Sequence, residues 1–125
     1  MHLGRSIREH DKPGRVLLID CVTLWLTNVL GLNEPGAEVP NAHQARLDAE
    51  RDDLVDALRQ AGGSVILVTN ELGSGVVPLG ALTRRFVDEH GRTNQRLAEA
   101  CDHVVLMVSG IPVTVKPSAT RGPAA

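Results

Sequence analysis

Three short apolar runs limit what this chain can become: residues 16–19, 64–69 and 103–108. Each is rich in Val, Ile and Leu and nearly continuous rather than alternating. That is the pattern of strands buried on both faces of a parallel sheet. A weaker fourth run, Val113-Thr114-Val115-Lys116, follows Gly110-Ile111-Pro112. Helical stretches separate the runs. One over residues 23–30 follows the first strand, and a polar turn at Asn33-Glu34-Pro35-Gly36 ends it. A second extends from an N-cap at Asn41 to about Ala61, with Ala45, Leu47, Leu54, Ala57 and Leu58 at helical spacing and Gly62-Gly63 as its stop. A third spans about residues 80–101 with Leu82, Phe86, Leu97 and Ala98 as its apolar positions. Strand, helix, strand, helix, strand defines an α/β fold with parallel pairing.

The length, 125 residues, suits a single domain able to bury its own core, with a loose Pro-, Ser- and Ala-rich tail over 117–125. A net charge of −2 argues against a nucleic-acid footprint. One Trp, one Phe and no Tyr leave no stacking platform for single strands, so Val, Leu, Ile and Ala must form the core. No apolar run approaches the roughly 20 residues of a membrane span, and the Met1-His2-Leu3-Gly4-Arg5 start lacks the apolar stretch of a signal peptide. Cys21 and Cys101 fit neither a zinc pattern nor a disulfide framework and read as reduced core thiols, which favours a cytoplasmic protein.

Ligands of open α/β sheets bind beyond the carboxyl ends of the strands, so the residues after each run matter most. Asp20 closes the first run, either as a Mg²⁺ ligand beside a nucleotide or as a cap for the helix that follows. Asn70 and Glu71 leave the second run and enter a loop where Gly73 and Gly75 would let backbone N–H groups approach a ligand. On the long third helix, Arg85, Asp88, Arg92 and Gln95 share a face suited to a polyanion or to ion pairs with Asp88. Gly91 and the Asn94-Gln95 amides in the same helix favour binding. His10, in a polar N-terminal stretch, is a possible nucleophile toward phosphorus.

Together these segments resemble one family. Residues 17–28 contain a "DC(L/V)TLWLxN" segment, residues 68–78 match a "VxNE(V/L)GxGIVP" segment, residues 84–98 "RxFxDxxGRxNQxLA", and residues 108–112 a closing "VxGIP". The family is the bifunctional adenosylcobinamide kinase / adenosylcobinamide-phosphate guanylyltransferase of cobalamin biosynthesis. The resemblance implies a P-loop NTPase-like fold, mostly parallel and flanked by helices, and a homotrimer. It implies GTP, ATP, adenosylcobinamide and its phosphate as ligands, with Mg²⁺. It also implies two reactions: phosphorylation of adenosylcobinamide, and GMP transfer from GTP through an enzyme histidine to give adenosylcobinamide-GDP. Asp20 would then be the Walker B acid. The family's guanylylated histidine lies in "RIxxH"; Ile7-Arg8-Glu9-His10 keeps the Ile-to-His spacing with Ser6 in place of the Arg, so His10 is the match and His2 the fallback. Asn70 and Glu71 would face the nucleotide or the cobinamide, and Arg85 and Arg92 phosphate or the trimer interface.

The chain contains no Gly-Lys-Ser or Gly-Lys-Thr, the core of the family's phosphate loop. It therefore reads as the C-terminal portion of the enzyme, α/β but N-terminally incomplete. The phosphate-loop strand of such folds lies against the Walker B strand, so bare sheet edges near residues 16–19 and low stability are expected. The alternative function is a non-catalytic remnant that binds nucleotide or assembles with a full-length copy.

Overall fold

The computed structural model describes residues 2–32, 41–74 and 80–118. The turn at 33–36, Gly75 of the glycine loop and the tail beyond Ser118 lie outside the described residues. Among the described residues four helices and four strands follow in the order α1 (Leu3–His10), β1 (Val16–Asp20), α2 (Val22–Val29), α3 (Asn41–Gln60), β2 (Ser64–Val68), α4 (Ala81–Ala100), β3 (Val104–Val108) and β4 (Ile111–Lys116). A 3-10 turn, Leu72–Ser74, lies between β2 and α4.

The expected elements form within a residue or two of their expected limits, but the sheet differs from the expectation. β1 and β2 pair in parallel, Val16 opposite Ser64 and Asp20 opposite Val68. β3 pairs antiparallel with β4 as a separate two-stranded sheet. Nor are the strands buried on both faces. Leu17, Ile19, Val65 and Leu67 pack against the core, while the alternate residues Val16, Leu18, Ile66 and Val68 are 40–65% exposed. The runs are apolar on both faces, yet among the described residues helices cover only one of them.

The core is helical. Leu3 and Ile7 of α1, Val22, Trp25, Leu26 and Val29 of α2, Leu47, Leu54 and Val55 of α3, and Leu97 of α4 form one buried cluster. α1 crosses α3 closely at Gly4, where an added Cβ would collide with the Asp53 carboxylate and come within 2.8 Å of the Asp53 carbonyl oxygen. At two of the positive-φ glycines the backbone closes a turn. Gly31 (φ 69°) ends α2: its N–H bonds the Asn28 carbonyl and the Leu32 N–H bonds that of Thr27, a Schellman motif. Gly110 (φ 77°) and Ser109 (φ 50°) form the two-residue turn between β3 and β4, whose paired positive φ values define type I′. The "VxGIP" segment is thus a hairpin turn followed by the first residues of β4.

At the opposite end of the β1–β2 pair, the Asp11 carboxylate accepts the N–H groups of Gly62 (2.7 Å) and Gly63 (2.8 Å), just before β2. These two bonds, Gly62 first, hold the Asp11 carboxyl below its ordinary pKa. They tie the chain leaving α1 to the chain leaving α3, and so set the parallel register.

Candidate functional site

Three segments meet at the carboxyl ends of β1 and β2. Thr23 lies in the first turn of α2, two residues past the Asp20–Cys21 peptide, which is cis. Thr69, Asn70 and Glu71 leave β2. His90 and Asn94, one helical turn apart on α4, face both. Asn70 Nδ2 donates to Thr23 Oγ1 at 2.8 Å, and His90 Nε2 lies 2.8 Å from the same oxygen. Asn94 Nδ2 donates to the Asn70 carbonyl at 2.8 Å and lies 3.4 Å from Glu71 Oε1 and 3.3 Å from His90 Nδ1. Asn94 Oδ1 accepts from Thr69 Oγ1 at 2.7 Å.

Exposure grades across this cluster. His90 is 1% exposed, Thr23 and Asn94 are half-buried, and Thr69, Asn70 and Glu71 are open to solvent. Burial pushes the His90 imidazole below its ordinary pKa, and the Glu71 charge opposes this only in part. Thr69, Asn70, Glu71 and Asn94 also line a cleft between β2 and the β3–β4 hairpin, with Leu67 and Met107 among its apolar walls.

A second, buried network backs the cluster. Arg51 of α3 and Glu89 of α4, both under 7% exposed, meet with Nη2 to Oε2 at 2.6 Å. Arg51 Nε donates to Thr93 Oγ1 at 3.2 Å, and Arg92 pairs with the other Glu89 oxygen. Burial alone would raise the Glu89 pKa; the hydrogen bond and charge of Arg51, then those of Arg92, outweigh it and hold the carboxyl below its ordinary value.

The sequence-derived candidates separate into groups. Asn70 and Glu71 are in the cluster, and Asp20 is exposed at the carboxyl end of β1. Arg92 pairs with Glu89, one turn away, where the sequence suggested Asp88. Arg85 donates to Gln44 Oε1 of α3 at 3.0 Å. His10 ends α1, on the side where β1 begins, and β1 itself spans about 13 Å between that side and the cluster. Its Nδ1 donates to the Ser6 carbonyl at 2.8 Å. His2, at the N-cap of α1, pairs with Glu50. Cys21 and Cys101 are free thiols, half-buried rather than fully in the core, and burial pushes the Cys101 thiol up. Sequence reasoning missed Thr23, Glu89 and His90. The family pattern leaves positions 89 and 90 open, and the only local signal was a charged and an ionisable residue next to apolar helix positions. Among the described residues no group of three or more His, Cys, Asp or Glu is gathered to hold a metal, and no helix is long and apolar enough to cross a membrane.

The fold and site define a mixed α/β protein with a polar cluster at the carboxyl end of a parallel strand pair, where this class of sheet binds ligands. More particularly, residues 1–115 match the family model described as cobinamide kinase / cobinamide phosphate guanyltransferase, and the chain belongs to that family. It is 46% identical over 114 residues to a bifunctional adenosylcobalamin biosynthesis protein, CobP, of Pseudomonas aeruginosa, covering 91% of this chain and 61% of that one. It is 40% and 41% identical, each over 119 residues, to the bifunctional adenosylcobalamin biosynthesis proteins CobU of Escherichia coli and Salmonella typhimurium. Both alignments cover 92% of this chain and 66% of the relative. The chain thus spans 61–66% of the length of the curated relatives it matches.

Proposed function

We propose that this chain handles nucleotide and corrinoid as part of an adenosylcobinamide kinase / adenosylcobinamide-phosphate guanylyltransferase, on a P-loop NTPase-like fold, in a cytoplasmic homotrimer. One observation carries the reading: three of the four family segments, separate in sequence, meet at the carboxyl ends of β1 and β2 through Thr23, Asn70, Glu71 and Asn94. The ligands of the proposed reactions are GTP, ATP, adenosylcobinamide and its phosphate. Asn70 and Glu71 present exposed amide and carboxylate groups to them. Arg85 and Arg92 lie on α4 beside the cluster, for phosphate or for a neighbouring subunit.

Asp20 fits a magnesium ion, which takes one or two carboxylates and completes its shell with water and phosphate oxygens. Asp20 would hold it, and bound magnesium would offset phosphate charge during transfer.

His10 is the proposed guanylyl acceptor. With Nδ1 donating to Ser6, the nucleophile would be the Nε2 lone pair of the neutral ring. That pair would attack the α-phosphorus of GTP. The N–P bond forms, the bond to the bridging oxygen breaks, and pyrophosphate leaves with the electron pair. Because His10 and the carboxyl-end cluster lie at opposite ends of β1, the two cannot share one phosphate within a single chain. A neighbouring subunit of the trimer would present the nucleotide to His10.

Intact mass after incubation with GTP and Mg²⁺ tests this. A GMP adduct on the wild type, absent from His10→Ala, is expected. An adduct that persists in His10→Ala overturns the assignment of His10, with His2 next to be tested. No adduct on folded protein that still binds GTP supports the second reading, a non-catalytic nucleotide-binding remnant, which the remoteness of His10 favours.

A further inference from the structure

The hydrogen bonds around His90 bear on where its proton sits, and that in turn bears on the proton of Thr23. Asn94 is oriented without ambiguity. Its Nδ2 faces the Asn70 carbonyl, which only accepts, and its Oδ1 faces the Thr69 hydroxyl. Turning the amide over would set an oxygen against the Asn70 carbonyl and the Glu71 carboxylate. One Nδ2 hydrogen goes to the Asn70 carbonyl; the other has His90 Nδ1 at 3.3 Å and Glu71 Oε1 at 3.4 Å within reach, and when it goes to the nearer atom, His90 Nδ1 accepts. His90 is then neutral with its proton on Nε2, and Nε2 donates to Thr23 Oγ1. Asn70 Nδ2 donates to the same oxygen. Both lone pairs of the Thr23 hydroxyl are engaged, and its own O–H is left to donate. The side chain is half-buried, three residues past Asp20 in sequence and in contact with the exposed Asn70.

We propose that Thr23 donates its hydroxyl proton to an acceptor oxygen of the bound nucleotide, and that the buried His90 is the positioning residue that keeps this proton free by donating to Thr23 from Nε2. This deepens the proposed function and rests on its nucleotide reading. The oxygen belongs either to phosphate or to the nucleoside, and the two sources are separable by probe. The proposal also gives the buried histidine a use that a hydrophobic residue could not supply. Were His90 the other tautomer, Thr23 would donate inward and show the ligand no proton.

Two measurements on the full chain test it. The first is long-range ¹H–¹⁵N correlation of the imidazoles at neutral pH, which needs no ligand. The expected signature of His90 is a protonated Nε2 and an unprotonated Nδ1; the reverse pattern, or a doubly protonated ring, overturns the proposal. The second is calorimetric binding of GTP with Mg²⁺, GMP and guanosine to the wild type, Thr23→Ser, Thr23→Val and His90→Gln, each first shown folded by circular dichroism. Thr23→Ser keeps the hydroxyl and should bind within about threefold of wild type. Thr23→Val keeps the shape and should bind about tenfold more weakly. His90→Gln retains an N–H near Nε2 and should stay within about threefold, where an unspecific loss of packing would not be rescued. A deficit in Thr23→Val seen with GTP and GMP only places the acceptor on phosphate; one seen also with guanosine places it on the nucleoside. Wild-type binding that Thr23→Val leaves unchanged refutes this proposal and spares the nucleotide reading. If the folded wild type binds none of the three probes, both fall.

Discussion

The Arg51–Glu89 pair offers the sharpest test of how this fold is held. Both side chains are almost fully removed from solvent, and Glu89 also takes Arg92, while Arg51 takes Thr93 and, at 3.5 Å, Asp48. Removing one member of a buried pair strands the other charge and costs about 3–5 kcal/mol, whereas replacing both with apolar residues of similar volume is often close to neutral. The two single variants should differ. Glu89→Leu leaves the buried Arg51 with Asp48, which is half-exposed, as its one counter-charge among the described residues, and should reach the upper part of that range. Arg51→Met leaves Glu89 with Arg92, whose own side chain is 61% exposed, and should fall near the lower end. For a chain of 125 residues, unfolding entropy of about 2.1 cal/mol/K per residue turns 3–5 kcal/mol into a Tm loss of roughly 10–20 °C. The double variant strands neither charge and should recover most of that loss, so the coupling in a double-mutant cycle should approach the sum of the two single losses, about 6 kcal/mol or more. Urea unfolding followed by circular dichroism provides the numbers. A Glu89→Leu loss below about 1 kcal/mol, or a double variant equal to the sum of the singles, would refute the claim that this pair is buried and coupled.

The other predictions concern pH, two glycines and the bare sheet face. Glu89, Asp11 and His90 all have lowered pKa values in the folded state, so each binds protons more readily when unfolded and each loses its contribution as pH falls. Chemical unfolding should show stability declining first below the ordinary His value of 6.5, then more steeply below the ordinary Glu value of 4.5; stability flat from neutral pH to pH 4 would contradict this. Gly91→Ala meets nothing within 4 Å and removes a mid-helix glycine, so Tm should rise by about 4 °C. If GTP binding falls at the same time, the open space over Gly91 is used by the ligand. Gly4→Ala should instead destabilise by about 1–3 kcal/mol in urea melts, because its methyl group would strike Asp53. Leu18→Lys with Ile66→Lys should reduce dye binding and aggregation in light scattering while changing stability by no more than about 1 kcal/mol in total, since both side chains are over half exposed. An outright loss of folding would mean that this face is covered in solution.

Much of the fold was legible because apolar continuity and glycine punctuation are local signals. Gly80 and Cys101 flank α4, and Gln60 ends α3 just before Gly62, as the sequence suggests. What periodicity could not give was the pairing. A run such as 104–108 reads the same whether its neighbour is parallel or antiparallel, and only the positive φ values at Ser109 and Gly110 turn it into a hairpin. Burial of both strand faces was over-read for a related reason: an apolar residue on a strand states a capacity for burial, and the cover must come from elsewhere. Within the site, Asn70 and Glu71 were readable because they end a strand. Thr23 was hidden inside a helix start, and His90 inside a polar helix whose family pattern does not specify that position. Their roles depend on hydrogen bonds between segments 47 and 67 residues apart in sequence, which no local signal reports.

The buried ion pair and the polar cluster are best understood as one device. Successive residues on an α-helix are turned by about 100°, so Glu89 and Thr93 point one way and His90 and Asn94 point to the adjacent side. Arg51 grips Glu89 and Thr93 from α3 and thereby fixes the rotation of α4 about its own axis. That rotation aims His90 and Asn94 at Thr23 and at the residues leaving β2. An apolar contact between α3 and α4 would tolerate small rotations at little energetic cost, since dispersion is non-directional. The guanidinium of Arg51 does not, because its Nε and Nη2 bonds to two residues a turn apart are satisfied over a narrow range of angles. Thr23 is fixed separately, through the buried Val22, Trp25, Leu26 and Val29 of α2. The cluster is therefore positioned by the helical core rather than by the bare face of the sheet. Surface changes at Leu18 and Ile66 should leave its hydrogen bonds intact, while loss of Glu89 should disturb them in addition to lowering stability.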